Sequence, residues 1–120
     1  MLRFMLKTKI HRGTVTESNL AYEGSLTLDR DLMDAAGIVP FEQIGVYNIN
    51  NGERFETYVI EGERGTGVIG LNGAAARKGL VGDLIIIVTY CAVAEEELAD
   101  HRPTILLLGE RNKIKRQLDK

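Results

Sequence analysis

A glycine followed by a serine, Gly24-Ser25, sets a hydroxyl beside a backbone carbonyl that no side chain shields. Such a hydroxyl can fold back onto the preceding carbonyl carbon, and glycine tolerates the backbone angles this needs. The chain has only two serines, Ser18 and Ser25. Taken alone, the dipeptide reads as a turn. Further on, Arg54, Glu56 and Tyr58 alternate with Phe55, Thr57 and Val59. A strand of period two puts Arg54 and Tyr58 on one face, where taken alone they read as a surface charge and a half-buried aromatic. A flat strand would separate their Cα atoms by roughly 13 Å, so the strand must curl or the arginine must reach back. Lys9 shares a face with His11 in another alternating stretch, where on its own it reads as a solvent-facing charge. Asn72-Gly73-Ala74-Ala75-Ala76 joins a turn signal to minimal side chains. It could be a plain helix entry, or a place where a ligand meets exposed backbone N–H groups.

Other chemistries find no support. Two histidines, His11 and His101, and the single Cys91 are too few for a usual zinc site, and no pair has ligand spacing, so no metal is expected. No Walker-type phosphate loop is present, and no Gly-x-Gly-x-x-Gly opens a helix. A formal charge of −2 argues against a dedicated nucleic-acid binder, which would usually be basic. One cysteine precludes an internal disulfide and fits a reducing compartment; Cys91 reads as a packing residue. Met1 to Leu6 does not read as a signal peptide, and no run approaches the ~18 apolar residues that span a bilayer. A soluble, cytoplasmic protein is expected, and 120 residues suit one domain.

The elements that must position these residues are mostly strands. Leu2 to His11 alternates, with Leu2, Phe4, Leu6, Thr8 and Ile10 as its apolar row; Arg12-Gly13 breaks it and Thr14-Val15-Thr16 resumes. Glu17-Ser18-Asn19 suggests a turn, and Ser25 to Leu28 a strand. Asp29 can cap a short helix that Gly37 ends. Ile44 to Asn50 and Glu53 to Ile60 flank Asn51-Gly52, which predicts a hairpin with a two-residue type I′ turn. Val68 to Leu71 is a short strand, and Leu84 to Val88 is apolar enough for one buried on both sides. Ala94 to Asp100 suggests a helical turn, Thr104 to Leu108 a last strand, and Asn112 to Lys120 a partly ordered charged tail. About seven strands, one clear helix and many glycine turns predict a small barrel or sandwich.

Against this frame the sequence resembles the bacterial aspartate 1-decarboxylase family. The resemblance rests on Lys9-Ile10-His11-Arg12, Tyr22-Glu23-Gly24-Ser25, Asp34-Ala35-Ala36-Gly37-Ile38, Asn51 to Tyr58, Glu63-Arg64-Gly65, Asn72 to Ala76 and Val81-Gly82-Asp83, all in order. It implies a mainly β fold, a six-stranded double-psi β-barrel with short helices. It implies a homotetramer with active sites between subunits, and decarboxylation of L-aspartate to β-alanine for pantothenate synthesis. It also implies that Ser25 attacks the Gly24 carbonyl, that the chain divides into residues 1–24 and 25–120, and that Ser25 becomes a covalent pyruvoyl group, the cofactor. Thr57 would support the cleavage and line the substrate site. Tyr58 would donate the proton to Cα, while Arg54 and Lys9 would hold the substrate carboxylates. Asn72, Gly73, Ala74 and Ala75 would line the rest of the pocket. Relatives differ in whether they need a maturation partner, and this chain could fall on either side.

A reading from another class remains: an uncleaved barrel serving as a binding or regulatory module. The masses of the purified chain separate the two.

Overall fold

The computed structural model describes residues 1–119 and joins nine strands edge to edge. They are β1 (Leu2–Thr14), β2 (Glu17–Asn19), β3 (Ser25–Asp29), β4 (Gln43–Asn48), β5 (Arg54–Gly62), β6 (Ile69–Asn72), β7 (Leu84–Ala94), β8 (Thr104–Leu108) and β9 (Ile114–Asp119). One helix, α1 (Arg30–Ala36), follows β3, and 3-10 turns occupy Gly73–Arg77, Glu95–Asp100 and Glu110–Asn112. The ladder order is β2-β6-β3-β5-β4-β7-β1-β8-β9. The protein is therefore mainly β with short helices, as expected, and compatible with the double-psi barrel. Lys120, the end of the expected tail, lies outside the described residues.

The core follows from alternation. Ile10, Leu26, Leu28, Val46, Ile69 and Ile87 are fully buried, each worth about 1.5–3 kcal/mol of removed apolar surface. Leu26 and Leu28 root β3 immediately after Gly24-Ser25, so the serine sits on an anchored strand. Asp29 then stops the strand and caps α1. Its Oδ1 accepts from Asp31 N at 2.8 Å and Gly65 N at 3.0 Å, and its Oδ2 from Gly67 N at 2.8 Å. Gly37 ends α1 in the left-handed conformation at φ 71°.

Several expectations need correction. Glu17-Ser18-Asn19 is not a turn but β2, paired in parallel with Gly70–Asn72. Arg12-Gly13 does not break the first strand. Arg12 takes φ 64° at a register shift and β1 continues to Thr14. The apolar row of β1 is buried only from Thr8 onward, while Leu2 and Phe4 are exposed. From Leu2 to Leu6 the strand is paired to β7 alone, a two-stranded ribbon, and β8 joins it only from Thr8. In β7, Ile85 and Ile87 are buried but Leu84 and Ile86 only half so. The tail beyond Asn112 is β9, paired antiparallel with β8. Buried Asn112 starts it, its Oδ1 accepting from Thr14 N and its Nδ2 donating to Thr14 O and Gly67 O.

The hairpin forms with a different turn. Ile49 to Gly52 make a four-residue loop, and only Gly52 has positive φ, 78°. Asn48 Oδ1 accepts from Asn50 N at 2.8 Å, Gly52 N donates to Asn48 O at 2.9 Å, and Asn50 Oδ1 accepts from Leu84 N at 2.6 Å. These asparagine bonds favour the longer loop over the two-residue turn. The register moves by two as a result. A two-residue turn would set Ile49 opposite Arg54, whereas the structure sets Tyr47 there. A shift of two keeps every side chain on its face and changes its cross-strand partner.

Candidate active site

Ser25 opens β3 and pairs with Asn72 of β6. Its hydroxyl donates to Glu23 O at 3.1 Å and accepts from Asn72 Nδ2 at 3.1 Å. Asn72 Nδ2 also donates to Thr27 Oγ1 at 2.8 Å, which fixes the amide. Ser25 is 1% exposed and Asn72 5%, so the hydroxyl is held out of water between two partners. Gly73 makes this possible. It sits at φ 61°, and a Cβ there would stand 2.6 Å from Gly24 N, 2.7 Å from Gly24 Cα and 2.8 Å from Tyr22 O. Only glycine lets the segment before the serine lie against this turn. Ala74 N is 3.9 Å from where a Cβ on Gly24 would be, so a backbone N–H stands beside the junction. Ala75 is buried in the core.

β5 passes the other side of β3. Its parallel ladder begins at Leu26–Val59. Ser25 and Tyr58 stand one rung before that pair, and Gly24 and Thr57 two rungs before. Tyr58 packs on Phe41, ring centroids 6.2 Å apart. The structure thus gathers Gly24, Ser25, Thr57, Tyr58, Asn72, Gly73 and Ala74 about one strand junction.

Arg54 lies elsewhere. It helps line a cleft of about 400 Å³ with Tyr47, Tyr90, Gly45, Glu56 and Phe4, and Ser25, Tyr58 and Lys9 are not among the lining residues. Its Cζ stands 3.8 Å over the centre of the Tyr47 ring. The Tyr47 and Tyr90 hydroxyls share a hydrogen bond of 3.0 Å. That bond, then burial, raises the Tyr90 pKa above the ordinary phenol value, with Arg54 pulling the other way. Lys9, paired with Val88 and Ile105, makes no hydrogen bond or ion pair among the described residues. His11 beside it is pushed down from the ordinary histidine value by burial first, then by Lys9 and Arg12. Its Nδ1 is buried without a partner.

Two features of this geometry escaped sequence reasoning, the Tyr47–Tyr90 pair and the stacking of Arg54 on Tyr47. The signal that could have found Tyr47 is the hairpin register, which depends on loop length.

The aspartate decarboxylase family model matches residues 1–115. Over 115 residues the chain is 59% identical to the aspartate 1-decarboxylase of Desulfotalea psychrophila, covering 96% of this chain and 97% of the relative. It is 58% identical to that of Ralstonia pickettii, covering 96% of each, and 56% identical to that of Bordetella avium, covering 96% and 94%. The chain belongs to the aspartate decarboxylase family. Several motifs that carry the family resemblance prove to be structural supports. Arg64 bonds Asp31 at 2.6 Å and Asp34 at 2.8 Å and so ties the β5–β6 loop to α1. The Arg64 bond does most to lower the Asp34 pKa, against burial and with a further bond from Arg30. Gly82 at φ 98° makes the turn in which Asp83 Oδ2 accepts from Leu80 N and Asn48 Nδ2, both at 2.9 Å. Among the described residues no helix is long and apolar enough to cross a membrane.

Proposed function

We propose that the chain decarboxylates L-aspartate to β-alanine and CO2 after breaking its own backbone between Gly24 and Ser25. Family membership supports the reaction, and the pinned Ser25 hydroxyl is the observation that carries the route. The hydroxyl is directed by Asn72, sheltered from competing water and attached to a strand that cannot recede. Ser25 Oγ bonds to the Gly24 carbonyl carbon, the C–N bond breaks, and an ester links the two parts. Loss of the Ser25 Cα proton with departure of the Gly24 carboxylate gives dehydroalanine, and water then releases ammonia. Residues 1–24 and 25–120 result. The Ala74 N–H is the donor nearest the junction for the oxyanion of the first step, and Thr57 supports the same step from β5.

A pyruvoyl ketone at position 25 would supply the electron sink for the pair left when CO2 departs. The residues present fit it: Asn72 Nδ2 bonds Ser25 Oγ, the oxygen that departs with the Gly24 carboxylate, and would then be a free donor beside position 25. Tyr58, one rung away, holds the proton that Cα receives. Arg54 binds one substrate carboxylate through its N–H fork and Lys9 the other. Asn72, Gly73, Ala74 and Ala75 bound the remaining space.

One chain keeps Arg54 in its own cleft, and the exposed Leu2, Phe4 and Tyr90 mark an uncovered ribbon near it. These features support a homotetramer in which Arg54 of one copy faces Ser25 of the next. Incubation with L-aspartate should yield β-alanine and CO2, and prior treatment with a hydrazine should abolish both. Undiminished turnover after that treatment would refute the pyruvoyl route.

A further inference from the structure

We propose that Tyr47, tethered by Tyr90, is a positioning residue that holds the Arg54 guanidinium over its ring and leaves the N–H fork free for a carboxylate. This rests on the reading of Arg54 as the carboxylate anchor. Arginine carries about 2 kcal/mol of rotamer entropy, which an unheld side chain loses on binding. Among the described residues Arg54 makes no ion pair or side-chain hydrogen bond, and its one fixed contact is the Tyr47 ring at 3.8 Å. An acidic partner would also hold it, but would occupy the donors that substrate needs. Glu56, which lines the same cleft, is turned to Gln43 Nε2, from which it accepts at 2.9 Å. An aromatic face attracts the cation through its quadrupole and takes none of the in-plane donors.

The ring is itself held on two sides. A Cβ on Gly45 would stand 3.4 Å from Tyr47 Oη, 3.6 Å from Cε1 and 3.0 Å from Val88 Cγ2. The bare glycine backbone is therefore the floor on which the ring lies. At the ring's far end the hydroxyl is tied to Tyr90 at 3.0 Å, on a different strand. The bond to Tyr47 and burial raise the Tyr90 pKa above the ordinary phenol value, which disfavours a phenolate at that position. Register supplies the last element, because Tyr47 stands directly opposite Arg54 in the β4–β5 ladder.

The test uses the self-cleaved enzyme, with succinate, a dicarboxylate lacking the amine, as the binding probe. Tyr47→Leu should raise the succinate Kd and the KM for aspartate about 3- to 10-fold, the range expected from losing a cation–π contact. Its kcat should change less, and its fragment pattern should match the parent. Tyr47→Phe keeps the ring face and should restore affinity to within about 2-fold. In an Arg54→Ala background Tyr47→Leu should cost nothing further, which a merely structural role would not predict. If Tyr47→Leu yields no folded protein, Tyr90→Phe breaks only the tether and should cost about 2- to 3-fold. Unchanged succinate affinity in Tyr47→Leu, with Arg54→Ala weakened, overturns the positioning role alone. Unchanged affinity in Arg54→Ala overturns the anchor reading and the positioning role with it.

Discussion

The Gly24-Ser25 junction and the Arg54 cleft are built on opposite plans. At the junction the Ser25 hydroxyl is buried, bonded on both sides and pressed close by Gly73. In the cleft the Arg54 guanidinium is exposed, unpaired among the described residues and stacked on an aromatic face. On the proposed route, the difference follows from what each would have to do. An intramolecular attack needs one geometry, excludes water and binds nothing, so its parts can be fixed in advance. A carboxylate must enter and leave, so its donors have to stay unspent.

The largest effect that sharpens this contrast is expected at Gly73. Gly73→Ala forces a methyl into the backbone of Tyr22 and Gly24, in a conformation that disfavours any side chain. Self-cleavage should slow by about 5- to 150-fold, from strain of roughly 1–3 kcal/mol. Denaturing electrophoresis over time measures it, and normal cleavage would show the junction to be looser than described. Arg54→Ala should act in the reverse sense. Cleavage should proceed normally while the KM for aspartate rises about 10- to 100-fold, the loss of a charge-assisted pair. Failure to cleave would mean that the two regions are not separable.

Asp83→Asn is expected to have a smaller effect. The Asp83 carboxylate is held below its ordinary pKa by the Leu80 N–H first and the Asn48 amide second. A depressed carboxylate stabilises the fold above its unfolded value near 3.8 and loses that contribution as pH falls through the folded value. The substitution should lower thermal stability at pH 7 by at most about 1 kcal/mol, and the gap to the parent should close below pH 4. A gap that persists in acid would assign the loss to packing. The smallest effect is expected at Thr89, which lines the Arg54 cleft and whose buried hydroxyl has no partner. Thr89→Val removes an unsatisfied group and should leave stability equal or slightly higher. A loss above about 1 kcal/mol would mean that the hydroxyl is bonded in the assembled enzyme.

The two regions also differed in how legible they were. Gly24-Ser25, Asn72 and Gly73 stood out because glycine and serine are informative where backbone must come close, and the structure brings them together. The helix was readable for a similar reason, since Asp29 and Gly37 are strong local caps. The Arg54 cleft was not readable. Asn51-Gly52 predicted the tighter turn, but asparagine bonds from Asn48 and Asn50 select a longer one and move Tyr47 opposite Arg54. The Asn50 bond reaches Leu84, 34 residues away, so no local pattern reports it. The tail was read as loose because its charges hide what orders it, the pairing of Asn112 with Thr14 and Gly67. The exposed first half of β1 alternates like a buried strand, and periodicity does not say what covers it.

The central claim is that the Ser25 hydroxyl breaks the bond before it. Intact mass spectrometry of the purified chain beside Ser25→Ala tests this most directly. The parent should give fragments corresponding to residues 1–24 and 25–120, the larger with its terminal amine replaced by a ketone, and Ser25→Ala one full-length mass. Fragments from Ser25→Ala, or one full-length mass from a parent preparation that turns over aspartate, would contradict it.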